Sequence, residues 1–266
     1  MNRIDRTFAE LKEQGRAAFS VYLCAGDPDL ETTRDLVVAL DKAGVDFVEL
    51  GMPFSDPIAD GPVIQAAGQR SLDRGTKLAD VLDIAAQVRE QSDIPIVLMT
   101  YYNIIHRFGL DNLAREATRV SIDGLIIADL IPEEADDLLA VARPADLATV
   151  FFVAPTSTDD RIKLAEETST GFIYCVSVTG ITGARDALPP DLRDHLRRVR
   201  PLTTKPLVVG FGVSRPEHVR ALSEVADGII VGSAVVRQIE QASDLPREQL
   251  VEQVAAFAGE LAAATR

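Results

Sequence analysis

Two carboxylates give the sharpest chemical signal in this chain of 266 residues. Glu49 lies inside the apolar run Phe47–Leu50, and its neighbours Val48 and Leu50 must point to the opposite side of a strand. A carboxyl group buried in such a run is costly unless it is paired or neutral. It is therefore either half of a structural ion pair or an acid with a perturbed pKa. Asp60 closes a loop that also holds Pro53, Asp56 and Pro57. Placed before Gly61, it reads either as a turn residue or as a second acid, and Asp56 has the same turn reading.

Small residues at late strand ends form a second constellation: Gly180–Ile181–Thr182–Gly183, Gly210–Phe211–Gly212–Val213 and Gly232–Ser233–Ala234, the last opening a short helix that runs to Glu240. Such residues let backbone N–H groups approach an anion, and a helix N-terminus adds a favourable dipole. Any one of these glycines could be a plain turn residue; together they point to a phosphate site. Tyr22, Phe54, Tyr101, Tyr102, Tyr174 and Phe211 lie near strand ends, where they would either fill the core or wall an apolar substrate.

Other chemistries lack their residues. The five lysines, Lys12, Lys42, Lys77, Lys163 and Lys205, all miss the C-terminal ends of the predicted strands, which argues against a Schiff-base aldolase. Three histidines and two cysteines offer no histidine-rich or cysteine-rich metal site, so no metal is expected. A net charge of −14 argues against binding nucleic acid or an anionic membrane. Cys24 and Cys175 read as reduced thiols, and the N-terminal segment lacks the apolar core of a signal peptide, so the expected location is the cytoplasm.

The elements that must position these groups alternate along the whole sequence. Continuously apolar runs occur at Phe19–Leu23, Phe47–Leu50, Ile96–Met99, Gly124–Ala128, Thr149–Val153, Phe172–Val176, Leu207–Val209 and Gly228–Val231. Between them lie amphipathic segments, among them Leu30–Ala43, Leu78–Glu90, Pro132–Arg143, Pro189–Arg200 and Arg247–Ala264. Thr158, Ser214 and Pro132 mark helix starts. Strands without alternation belong to a parallel sheet covered by helices. Eight β-then-α units with no linker predict an α/β fold: one (β/α)8 TIM barrel over residues 1–266, with an extra N-terminal helix and a short extra helix after strand 8. Chemistry in such a barrel sits at the C-terminal strand ends.

The segment Val48–Glu49–Leu50–Gly51–Met52–Pro53–Phe54–Ser55–Asp56–Pro57–Ile58–Ala59–Asp60–Gly61–Pro62 closely resembles the signature of tryptophan synthase alpha chains. Gly26–Asp27–Pro28 and the three glycine segments resemble that family in the same order. The resemblance implies a lyase that splits indole-3-glycerol phosphate into indole and glyceraldehyde 3-phosphate, with Glu49 and Asp60 as its acids. It implies phosphate binding by Gly183, Gly212, Val213, Gly232 and Ser233 and an indole pocket near Tyr22, Tyr101, Tyr174 and Phe211; Thr182, lying between two glycines, is placed to help close the site. It further implies an alpha2-beta2 heterotetramer with a beta chain, contacted through Pro53, Asp56, Asp129 and Pro132. Pyridoxal phosphate would belong to that partner, with no cofactor in this chain.

Overall fold

The structure is a computed structural model that describes residues 2–176, 191–210 and 212–266. Its elements in chain order are α1 (Arg3–Glu13), β1 (Ala18–Cys24), α2 (Leu30–Lys42), β2 (Phe47–Gly51), α3 (Pro62–Asp73), α4 (Leu78–Arg89), β3 (Ile96–Thr100), α5 (Tyr102–Phe108), α6 (Leu110–Arg119) and β4 (Gly124–Ile127). There follow α7 (Asp136–Ala142), β5 (Ala148–Val153), α8 (Asp159–Thr168), β6 (Ile173–Cys175), α9 (Asp191–Val199), β7 (Leu207–Gly210), α10 (Pro216–Ser223), β8 (Gly228–Val231), α11 (Ser233–Gln241) and α12 (Arg247–Ala262). The eight strands pair in parallel, each with its sequence neighbour, and β8 pairs with β1 to close the barrel. This is the expected (β/α)8 architecture.

Strand alternation divides the core in two. Val48, Leu50, Leu98, Leu125 and Val209 face outward and pack with helix residues such as Leu36, Leu40, Val81, Leu82 and Val88. Phe47, Val97, Ile126, Val150, Phe172, Val208 and Ile230 face the barrel axis. The rings of Phe8, Phe47 and Phe172 lie 5.5–5.9 Å apart and fill the lower barrel.

The extra N-terminal helix plugs the bottom. Ile4, Phe8 and Leu11 of α1 join the inner cluster. Gly124 makes room for them, since a Cβ there would stand 2.9 Å from Ile4 Cδ1. Asn2 caps α1 by accepting from the Ile4 N–H at 2.9 Å, and its amide donates to the carbonyls of Asp123 and Asp146 at 2.7 and 2.6 Å.

Some sequence boundaries shift. Thr158 caps α8 as expected, but Arg215 rather than Ser214 precedes the first residue of α10. The Pro132 segment divides into a 3-10 turn, Pro132–Glu134, and α7. Helices α3 and α5 have no counterpart in the sequence reading. The buried face of α3 is Ile64, Ala67, Gly68 and Ser71, too small and mixed to give a strong apolar stripe, and α5 has only seven residues. Among the described residues no helix is long and apolar enough to cross a membrane.

Candidate active site

Glu49 points into the barrel. Phe47, two residues earlier, belongs to the inner cluster, while Val48 and Leu50 face the helices. The Glu49 side chain therefore stands above the phenylalanine layer, level in register with Tyr22 on β1 and Val97 on β3. It is 1% exposed, and its Oε1 has no hydrogen-bond partner in the protein. No cation pairs with it among the described residues. Burial alone pushes its pKa up from 4.5 to about 8, which keeps the carboxyl protonated at neutral pH.

Asp60 comes from the loop between β2 and α3. Gly61 is the N-cap of α3 and Pro62 fills its first turn, so Asp60 sits one residue ahead of a fixed helix start. The Tyr101 hydroxyl donates to Asp60 Oδ2 at 3.0 Å and accepts from the Ala59 N–H at 3.1 Å. Phe54 stacks on the Tyr101 ring with centroids 4.8 Å apart. Burial raises the Asp60 pKa and the Tyr101 hydrogen bond opposes that rise. The carboxylate is thus engaged by an aromatic hydroxyl, which the turn reading did not foresee.

Tyr22 and Tyr174 complete the chamber. Burial raises both phenol pKa values well above normal, and the charges of both Glu49 and Asp60 add to the rise in each case. The two acids therefore share electrostatic reach of the same two rings. Strand-end glycines make this possible. A Cβ on Gly51 would lie 2.2 Å from the Tyr22 hydroxyl oxygen, and one on Gly210 would lie 2.0 Å from that of Tyr174. Gly210, grouped with the phosphate glycines in the sequence reading, here makes space for a ring. Phe152 backs Tyr174 at 4.9 Å.

Across the rim, Gly212 adopts φ +33°, Val213 is buried, and Gly232 leads directly into Ser233, the first residue of α11. Among the described residues no side chain caps α11, and its first two N–H groups, of Ser233 and Ala234, face the end of β8 without an acceptor there. Thr182, Gly183 and Phe211 lie outside the described residues.

A sequence profile of the tryptophan synthase alpha chain matches residues 8–266. The chain belongs to the tryptophan synthase alpha chain family. It is 46% identical over 261 residues to the tryptophan synthase alpha chain of Thermoanaerobacter sp. (strain X514), covering 98% of each chain. It is 50% identical over 241 residues to that of Solibacter usitatus (strain Ellin6076), covering 91% of this chain and 90% of the relative. A solved structure of Mycobacterium tuberculosis tryptophan synthase superposes with TM-score 0.92 at 35% identity, covering 100% of this chain and 98% of that one.

Other alpha-chain positions named from the sequence sit at the same rim. Pro53 is buried at the start of the β2–α3 loop, Asp56 is exposed and accepts from the Ser55 hydroxyl at 2.6 Å, and Pro132 opens the turn after β4. Asp129 is exposed and accepts from the Tyr102 N–H at 2.7 Å, capping α5. Ile58 and Ile131, 85% and 41% exposed, lie in these same two loops. Their exposure was not legible from composition.

Proposed function

We propose that this chain cleaves indole-3-glycerol phosphate into indole and glyceraldehyde 3-phosphate, with Glu49 and Asp60 as the working carboxylates. The observation that carries this reading is a buried Glu49, its Oε1 without a partner among the described residues, within electrostatic reach of the same two tyrosines as Asp60. Protonated Glu49 delivers its proton to C3 of the indole ring, giving a 3H-indolium cation (a protonated indolenine) whose N–H is strongly acidic. Asp60 accepts a hydrogen bond from that N–H and offsets the developing positive charge. The Glu49 carboxylate then takes the proton from the side-chain hydroxyl next to the ring. The O–H pair becomes the aldehyde C=O, the C–C pair returns to the ring, and Glu49 regains its proton. The first step is a proton transfer and the second a proton abstraction coupled to C–C cleavage with no net redox change, so the chemistry calls for no cofactor in this chain.

Backbone N–H groups at Gly212–Val213 and at the start of α11 hold the phosphate, joined by Gly183. The phosphate supplies binding energy away from the reacting bond and orients the side chain. Tyr22, Tyr101, Tyr174 and Phe211 wall the indole, and Thr182 helps close the site. The loops carrying Pro53, Asp56, Ile58, Asp129, Ile131 and Pro132 dock a beta chain in an alpha2-beta2 heterotetramer. That partner holds pyridoxal phosphate and receives the indole. The free thiols Cys24 and Cys175 fit a reducing cytoplasm.

The test is indole release by Glu49→Gln and Asp60→Asn, alongside glycerol 3-phosphate binding. Glu49→Gln should abolish turnover, and Asp60→Asn should lower kcat by ~10²–10⁴, both with phosphate-ligand affinity retained. Wild-type-like turnover by Glu49→Gln would overturn the assignment.

A further inference from the structure

One arginine ties the helix that follows Asp60 to two other parts of the rim. Arg70, near the end of α3, donates from Nε and Nη2 to the two oxygens of Asp27, each at 2.8 Å. Its Nη1 donates to Glu240 Oε1 on α11 at 2.9 Å. Asp27 lies in the loop after β1 and is 3% exposed, whereas Glu240 is half-exposed. A single guanidinium therefore bridges a buried loop carboxylate and the surface of α11.

The same side of α3 packs closely. Ile64 and Ala67 share an apolar cluster with Tyr22 and Cys24 of β1 and Val236 of α11. The Ser71 hydroxyl donates to the Ala25 carbonyl at 2.6 Å. Gly26, at φ +81°, brings the β1 loop so near that a Cβ would stand 2.5 Å from Ser71 Oγ. Ile64, Ala67 and Ser71 are spaced three and four residues apart, which gives one face on the core and leaves Arg70 at its edge.

An ion pair as exposed as Arg70–Glu240 contributes little to stability. Its geometry matters more, because a guanidinium fork holds direction as well as distance. We propose that Arg70, clamped between Asp27 and Glu240, is a positioning residue that fixes α3, and with it the Asp60 loop that leads into it, against α11. This rests on the roles given above to Asp60 and to the start of α11. From Gly61 to Arg70 the helix runs ~13 Å, so a small roll at the clamped end is carried to the residue just ahead of Gly61. A displacement of about 1 Å at a reacting group can cost ~10² in rate.

The experiment measures indole release by the chain purified with its beta partner, for Arg70→Gln, Arg70→Lys, Glu240→Gln and the double variant Arg70→Gln/Glu240→Gln. Glu49→Gln is the control for the underlying reading. Glu240→Gln changes a half-exposed side chain and should keep the wild-type Tm, yet lower kcat by about 3- to 10-fold. KM and the affinity for inorganic phosphate should stay unchanged, since only transition-state placement is lost. Arg70→Gln should lower kcat by up to ~10², and Arg70→Lys should restore part of it. Adding Glu240→Gln to Arg70→Gln should cost nothing further. Unchanged kcat in Glu240→Gln, or full additivity in the double variant, would overturn the clamp while leaving the catalytic reading intact. An active Glu49→Gln would instead overturn the reading beneath it.

Discussion

Removing the ionisable proton of Glu49 should make the protein more stable as well as inactive. Glu49→Gln keeps the size and shape of the side chain. In the folded chain the carboxyl titrates near 8, against 4.5 for an unburied glutamate. Between those values the unfolded chain ionises at this position and the folded chain does not. The wild type therefore loses stability relative to the variant by about 1.4 kcal/mol per pH unit across that window. Below pH 4.5 this group is protonated in both states and the difference vanishes. At pH 7 the variant should lead by about 3 kcal/mol, and above pH 8 the lead levels off near 5 kcal/mol. For a chain of this length, 3 kcal/mol corresponds to roughly 6–12 °C in Tm. Urea denaturation of both proteins at several pH values, compared at equal m, measures the gap directly. A gap that stays constant from about pH 5 to pH 8, or a variant less stable at neutral pH, would refute a neutral buried Glu49.

Tyr101→Phe leaves Asp60 Oδ2 and the Ala59 N–H without their shared hydroxyl, so turnover should fall about tenfold, corresponding to a loss near 1.4 kcal/mol. The same change removes the interaction that lowers the Asp60 pKa, and the acid limb of the kcat/KM profile should move to higher pH. In the wild type the alkaline limb should fall near pH 8 as Glu49 loses its proton, a position that steady-state assays across pH would check. Gly51→Ala drives a methyl group into the Tyr22 hydroxyl, so the ring must leave its place. KM should rise, and denaturation should show a loss of about 1–3 kcal/mol.

What the sequence made legible was one-dimensional. Apolar runs without alternation announced a covered parallel sheet, and the two-residue period placed Glu49 opposite Val48 and Leu50 once a closed barrel was inferred. The glycine-rich strand ends marked the rim. Contacts between distant elements left no trace in spacing. Tyr101 and Asp60 are 41 residues apart, and nothing in either segment points to the other. The service of Gly51 to Tyr22 depends on the β1–β2 register, in which Cys24 lies beside Gly51. Helix α3 went unread because Ile64 is the one large apolar residue on its buried face, the rest being Ala67, Gly68 and Ser71, which allow close approach but give no apolar stripe.

The plug formed by α1 has a consequence for biosynthesis. Its cap binds carbonyls at Asp123 and Asp146, and its apolar side chains rest on Phe172 and Ile230. Helix α1, made before all eight strands, therefore has no complete seat until nearly all of them have followed. Until then Ile4, Phe8 and Leu11 must wait in water or in a chaperone, and sealing the floor belongs among the closing events of folding. A rigid domain fused directly ahead of α1 would hinder that last step far more than one spaced by a flexible tether.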